Sequence, residues 1–192
     1  MIRQDYLMRM IEQLVKALSK ILFNKETGDY KSAIKNINNA FNTIVGIDFS
    51  LIDKLSAKDI KSLFEMTRDN STIGIKCIVA AKLIKEKSDI LKLNNYDDSK
   101  PAIGYQKSLS LFLDGILSSK DIEIDMRDYY QDVNGIVKIL ADEVTPDVRV
   151  KLFKFYVLSG ENEKARAELS RLKDLKYPNI SEEEVNFLKN KE

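Results

Sequence analysis

The sequence predicts an all-α protein whose helices form antiparallel pairs stacked as an irregular solenoid, with a helical bundle of another topology as the alternative. Apolar residues recur every three to four positions in most segments, and the polar connections between those segments are short. Hydrophobic residues at 44% and charged residues at 32% match a globular chain. Short connections make successive helices pack antiparallel. We expect residues 1–192 to form one domain, because this length suits a single domain.

The opening segment predicts a long helix over residues 1–24. Five apolar residues alternate spacings of four and three, which places them on one helical face: Leu7, Ile11, Leu14, Leu18 and Ile21. A second apolar set repeats every seven residues on a neighbouring face: Met8, Val15 and Leu22. A helix with two apolar faces either lies between two layers of the protein or contacts another chain.

Polar breaks divide the segments that follow. The dipeptide Gly28-Asp29 precedes a second helix that runs to about Ile44. Ser50 and Ser56 frame a loop, and Ser56 with Asp59 forms a capping pair that opens the next helix. The stretch DIEID is interpreted as a linker, because an isolated strand has no pairing partner here. We predict a helix over residues 72–91 and another that has Pro101 in its first turn and runs through Leu117. Further helices are predicted from Asp125 to Ala141, in a hairpin over residues 145–176, and from Ser181 onwards.

Two stretches resemble the helix-turn-helix unit of the tetratricopeptide repeat. The first is Gly28-Asp29-Tyr30 with Ala33-Ile34 and Ala40-Phe41. The second, within residues 145–176, comprises Leu152, Tyr156, Gly160, Ala165 and Leu172. The two turn glycines are 132 residues apart, close to four repeats of about 33 residues. The resemblance implies an irregular tetratricopeptide-like solenoid, although residues 47–140 do not align with the repeat. Four interior glycines are consistent with close helix crossings: Gly74, Gly104, Gly115 and Gly135.

The resemblance also implies a function, namely non-catalytic binding of a protein or peptide by the first helix of each pair. In the hairpin over residues 145–176 the corresponding partner-binding positions are Asp147, Val150, Lys154, Val157 and Leu158. Burial within the protein is the alternative for the three apolar ones. The opening segment QDYLMRMIEQLVKALSKILF further resembles the start of an uncharacterised bacterial family of unknown function, which implies no activity.

Two other functions stay open on the residues alone. The chain could be a homo-oligomer that buries the second apolar face of its first helix against a copy of itself. It could also be a histidine-free metal-binding enzyme, because three aspartates spaced three and four apart share a helical face: Asp125, Asp128 and Asp132. A solvated helix start is the alternative interpretation of these aspartates.

Composition argues against several classes of function. The sequence contains no histidine, which is the usual general base and a common metal ligand. The net charge of +1 lacks the basic surplus of a nucleic-acid-binding domain. We expect no cofactor, because GxGxxG, GxxxxGK and GxSxG are absent. The lone Cys77 lies in an apolar run, which predicts a buried thiol in a reducing compartment. No apolar stretch is long enough for a membrane span. We therefore expect a cytoplasmic protein.

Overall fold

The computed structural model describes residues 2–66, 72–94, 99–119 and 127–178. Within these ranges the chain is helical and contains no strand, so the predicted all-α class is confirmed. The predicted linker DIEID, the start of the helix at Asp125 and the helix from Ser181 lie outside the described residues. The described α-helices are α1 (Ile2–Glu26), α2 (Tyr30–Ala40), α3 (Phe49–Lys54), α4 (Ala57–Glu65), α5 (Ile73–Leu93), α6 (Ser99–Ser118), α7 (Tyr130–Leu140), α8 (Pro146–Leu158) and α9 (Asn162–Asp174).

Helices α5 and α6 form the centre of the fold and cross at very short range. A Cβ atom placed on Gly115 would lie 2.8 Å from the carbonyl oxygen of Gly74, and one on Gly104 would lie 2.1 Å from the Ser88 hydroxyl. These contacts pair the start of α5 with the end of α6, so the two helices are antiparallel. The predicted close crossings are confirmed at these three glycines. At Gly135 the prediction is wrong, because no atom lies within 4 Å of its Cβ position.

The remaining helices pack against this central pair as hairpins. Helix α1 packs on α2 and α5, and α8 packs on α6 and α9. Gly28 and Gly160 lie at the corners of the α1–α2 and α8–α9 hairpins with φ angles of +77° and +76°. Glycine adopts this left-handed conformation without the steric cost that a Cβ atom brings. Both turn glycines therefore lie where the sequence predicts them.

The segment between Gly46 and Ser56 differs from the prediction. A loop is predicted there, but the chain forms the short helix α3, which begins with the Asp48 carboxylate accepting a 2.7 Å hydrogen bond from the Ser50 N–H. Phe49 and Ile52 of this helix are buried, and the Phe49 ring packs 4.7 Å from that of Phe41. Burial of these two side chains offsets the weak helix-forming tendency of so short a segment.

The helix boundaries follow local signals with two adjustments. The capping pair of Ser56 and Asp59 is confirmed as a reciprocal capping box at the start of α4. Helix α2 continues as a π-helix over Phe41–Val45 and ends at Gly46, so the predicted helix changes its hydrogen-bond pattern near its end. Pro101 lies in the first turn of α6, as predicted. Pro146 begins α8, but the Thr145 side chain makes no capping hydrogen bond.

The two apolar faces of α1 have different surroundings. The first face is buried at Leu7, Leu14 and Ile21, and Ile11 and Leu18 are partly buried beside it. The second face remains in solvent: Met8 is 45% exposed, Val15 is 56% exposed and Leu22 is 38% exposed. Helix α1 therefore does not lie between two layers of the described chain.

Candidate functional site

Helix α8 carries the predicted partner-binding residues on its outer face. Asp147, Lys154, Val157 and Leu158 are exposed, and Val150 is half-buried. Val157 keeps 38% and Leu158 keeps 42% of its surface in solvent, so burial does not account for these two apolar residues. The other sides of α8 pack into the protein through Val148, Arg149, Leu152, Phe153, Phe155 and Tyr156. We refer to the five predicted residues as the α8 strip.

A buried ion pair fixes the orientation of the α8 strip. The Arg149 guanidinium donates a 2.9 Å hydrogen bond to the Glu168 carboxylate on α9, and a second N–H donates to the Asp142 carbonyl at 3.0 Å. Glu168 also accepts a 2.7 Å bond from Arg171. Two charges held in the interior by several hydrogen bonds restrict how α8 rotates against α9. The strip is therefore presented by a helix whose position is well defined.

A groove of about 750 Å³ lies beside the α8 strip, between α4, α6 and α8. Asp147 belongs to both the strip and the groove lining. Four lysines line the groove, and two aspartates accompany them: Lys58, Lys61, Lys107, Lys151, Asp114 and Asp147. The groove is consequently basic, although the chain as a whole carries a net charge of only +1.

The aspartates of the groove are engaged with neighbours in the same protein. Asp114 accepts a 2.6 Å bond from the Lys151 ammonium and lies 3.7 Å from that of Lys61. The Tyr177 hydroxyl donates a hydrogen bond to Asp147. These two carboxylates are fewer than the four lysines of the lining, so the groove keeps an excess of positive charge, which Glu65 near Lys61 and Asp53 near Lys107 reduce in part.

The Lys107 ammonium is held in the groove by backbone carbonyls. It donates hydrogen bonds of 3.1 and 3.0 Å to the backbone carbonyls of Ile52 and Asp53, near the end of α3. Partial burial lowers the pKa of Lys107, an effect that the Asp53 carboxylate opposes. The side chain therefore combines a defined position with incomplete solvation of its charge.

A narrower hollow of about 50 Å³ continues the groove along α6 and shares Ile103 and Lys107 with it. In this hollow the Lys87 ammonium lies 2.8 Å from the Asp53 carboxylate and 4.4 Å from the centre of the Phe49 ring. Ile103 is 62% exposed between the two hollows. An exposed isoleucine flanked by lysines offers an apolar contact inside a basic surface.

The family model described as "Family of unknown function (DUF6483)" matches residues 1–182. The chain belongs to the DUF6483 family. The match extends the resemblance of the opening segment to a family of unknown function over nearly the whole chain. Neither a curated protein nor a solved structure matches this DUF6483 chain.

Two of the three aspartates considered for metal binding, Asp128 and Asp132, lie in the described part of this DUF6483 protein. Asp132 forms a 2.7 Å ion pair with Lys82 on α5, and Asp125 lies outside the described residues. Across residues 2–66, 72–94, 99–119 and 127–178, no group of three or more histidine, cysteine, aspartate or glutamate side chains is arranged to hold a metal ion. The role of Asp132 in the fold is to pair α7 with α5.

Cys77 lies in the interior of the DUF6483 fold, as predicted from its apolar neighbours. Burial raises the pKa of the Cys77 thiol to about 12, and the negative charge of Asp114 adds to this effect. A thiol with so high a pKa is a poor nucleophile at neutral pH. None of the described helices combines the length and the apolar composition that crossing a bilayer requires.

Sequence reasoning missed the lysine groove, because its walls come from three helices that are far apart in the sequence. A signal was present on α6, where five residues recur at helical spacings of three and four, and four of them are polar: Lys100, Ile103, Lys107, Ser110 and Asp114. This periodicity marks one face of α6 as a surface. The lysines of α4 and α8 that share this surface follow only from the packing of the three helices.

Proposed function

We propose that this DUF6483 protein is a non-catalytic protein-binding module that presents the α8 strip to a segment of another protein. The proposal depends on one observation: Val157 and Leu158 remain exposed beside Lys154 on a helix whose other sides are buried. Apolar side chains on a rigid, well-defined helix face are favourable anchors for a partner, because binding removes their surface from water without ordering them first. The partner is a protein or peptide, with no nucleic acid or membrane involved, and the compartment is the cytoplasm.

We further propose that the helix pairs form a tetratricopeptide-like arrangement, which the helical hairpins of the structure support. Gly28 and Gly160 turn the chain between antiparallel helices, and Ala33 and Ala165 are fully buried at the helix contacts. Small residues at these positions let the paired helices approach closely. In such repeats the first helix of a pair lines the binding surface, and α8 is the first helix of the α8–α9 hairpin.

Capture experiments with strip variants test the proposal. The wild-type protein is immobilised and exposed to native cytosol alongside Val157→Asp and Lys154→Glu, with Leu93→Asp as a matched control, because Leu93 is 54% exposed at the end of α5. We expect one specific protein to be captured by the wild type and the control and lost with both strip variants, and its direct binding to be reproduced by titration calorimetry. Capture of the same proteins by all four would contradict the proposal.

A second candidate function is self-association through α1, favoured by its exposed second face. This face runs from Met8 through Val15 to Leu22, 14 positions or about 21 Å along the helix, and partly buried Ile11 and Leu18 fall between them. The resulting spacing of three and four is that of a coiled-coil seam. The seam would bury these side chains if a second copy of α1 packed against it.

Light scattering after size-exclusion chromatography tests self-association. We expect a dimeric mass for the wild type and for Leu51→Glu, a control at a residue that is 46% exposed on α3, and a monomeric mass for Val15→Glu. A wild-type protein that stays monomeric at all concentrations would contradict self-association through α1 and would not affect the proposed binding of a partner by the α8 strip.

A further inference from the structure

The groove beside the α8 strip has the dimensions of an extended peptide. Its long wall is the face of α6 from Lys100 to Asp114, which are 14 positions apart and therefore about 21 Å apart along the helix. An extended chain rises about 3.3 Å per residue, so about six residues of peptide cover this length. Ile103 and Lys107 connect the two hollows of the groove into one continuous surface.

The charge of this surface selects for an acidic occupant. Six lysines line its two hollows, whereas the acidic residues of the lining are three aspartates, Asp53, Asp114 and Asp147. Each of these aspartates is engaged: Asp53 with Lys87, Asp114 with Lys151, and Asp147 with the Tyr177 hydroxyl. Because the six lysines outnumber the three aspartates, the lining presents a net positive potential to an incoming segment.

Lys107 provides a defined anchor for a carboxylate. An ammonium group has three N–H donors, and Lys107 directs its hydrogen bonds to two backbone carbonyls. No carboxylate within the described ranges lies at ion-pair distance from Lys107. A carboxylate from outside the protein would accept the remaining hydrogen bond and neutralise a charge that is held partly out of water.

The start of α4 contributes to the same side of the groove. Ser56 and Ala57 line the groove, and Lys58 beside them is exposed. The Ser56–Asp59 capping box already satisfies this end of α4, so its backbone N–H groups do not serve an outside anion. Lys58, beside the Asp59 carboxylate, is therefore the cation that α4 contributes, while the exposed Ile103 further along offers an apolar contact.

We propose that this groove binds an extended acidic segment of a partner protein, with one carboxylate on Lys107, another near Lys58, and an apolar side chain on Ile103. The proposal rests on the proposed function, because it names the chemistry of the segment that such a binding module would hold. It adds a recognition surface next to the α8 strip, and the two surfaces meet at Asp147.

Fluorescence anisotropy with a labelled peptide, Glu-Glu-Leu-Glu-Asp-Glu, tests the groove directly on the full chain. We expect saturable binding that is at least tenfold weaker with Lys58→Glu, is weakened by Lys107→Gln, and is unchanged by Lys138→Glu, a charge-matched control at an exposed position on α7. A peptide with Gln in place of every acidic residue should not bind, and added salt should weaken binding of the acidic one. Far-ultraviolet spectra establish that each variant is folded.

Three results would overturn the proposal. The first is an absence of saturable binding to the acidic peptide. The second is equal affinity of wild type and Lys58→Glu, which would place the peptide elsewhere. The third is binding that occurs only after Glu182, Glu183 and Glu184 of the chain are changed to Gln, which would assign the groove to the protein's own acidic residues. The capture experiment separates the two proposals. If Val157→Asp abolishes partner capture while one of these three results is found, the proposed binding through the α8 strip stands and only the proposal about the acidic segment is rejected.

Discussion

Arg149 on α8 and Glu168 on α9 form an ion pair at 2.9 Å in which each side chain is only 4% exposed. Removing one partner leaves an uncompensated charge in the interior, which costs about 3–5 kcal/mol, whereas replacing both with apolar residues is much less costly. We expect Glu168→Leu to lower the free energy of unfolding by about that amount and the double variant Arg149→Met with Glu168→Leu to recover most of the loss. Urea denaturation of the three proteins measures both effects. A double variant no more stable than the single one would contradict this account of the pair.

The surroundings of Gly115, Gly160 and Gly135 predict different changes in stability when each glycine is replaced by alanine. Gly115→Ala would place a Cβ atom 2.7 Å from the Ile78 side chain and 2.8 Å from the Gly74 carbonyl, so we expect a loss of several kcal/mol through overpacking of α5 against α6. Gly160→Ala meets no atom within 4 Å but keeps a φ of +76°, which costs about 1–2 kcal/mol. Gly135→Ala has open space and no positive φ, so we expect a gain of about 0.5–1 kcal/mol. Thermal and urea denaturation give the order of the three variants. If Gly115→Ala lost the least stability of the three variants, the close crossing of α5 and α6 at Gly115 would be contradicted.

Cys77 should be unreactive in the folded protein. Its pKa of about 12 leaves a fraction of thiolate on the order of 10⁻⁴ at pH 8, and its burial blocks access to reagents. We expect a thiol-reactive dye such as Ellman's reagent to label Cys77 slowly in buffer and fully in denaturing urea. Rapid stoichiometric labelling under native conditions would show that the interior around α5 opens more often than this burial allows.

Asp89 should make stability depend on acid pH. Burial alone raises the pKa of this carboxyl, but the Lys85 ammonium at 3.0 Å and the Tyr105 hydroxyl at 2.8 Å together hold the pKa below 3.8. A group whose pKa is lowered by folding stabilises the folded state above its unfolded pKa and loses that contribution as the pH falls through its folded pKa. We expect Asp89→Asn to be about 1–3 kcal/mol less stable than wild type at pH 6.5, with the difference shrinking below pH 3.8. Urea denaturation at both pH values checks the sign, and a difference that grows in acid would refute it.

The predictable part of the fold is the part that local chemistry controls. The apolar periodicity of the first segment, the Ser56–Asp59 capping box and the turn at Gly160 each depend on residues close together in the sequence, and each is found in the structure. Helix α3 was missed because its stability comes from Phe49 and Ile52 packing into the protein, which local propensity does not contain. Tertiary packing commonly decides the structure of such short segments.

The candidate site was predictable only in part for a related reason. The outward position of the α8 strip follows from the helical period, because Asp147 and Lys154 are two turns apart on one face. The lysine groove depends on Lys58, Lys107 and Lys151 converging from α4, α6 and α8, whose residues are far apart along the chain. The pattern of residues within one helix does not show which residues of other helices lie next to it. The lysine groove could therefore be identified only from the packing of α4, α6 and α8.

The close approach of α5 and α6 at Gly74 and Gly115 bears on the proposed binding of a partner. Backbone atoms of the two helices are already near contact, so no layer of side chains between them is free to rearrange when a load is applied. This crossing therefore has little room to adjust, so little free energy of the proposed binding would be spent on reordering it. A partner of the proposed kind would then change its own shape wherever the two surfaces do not fit.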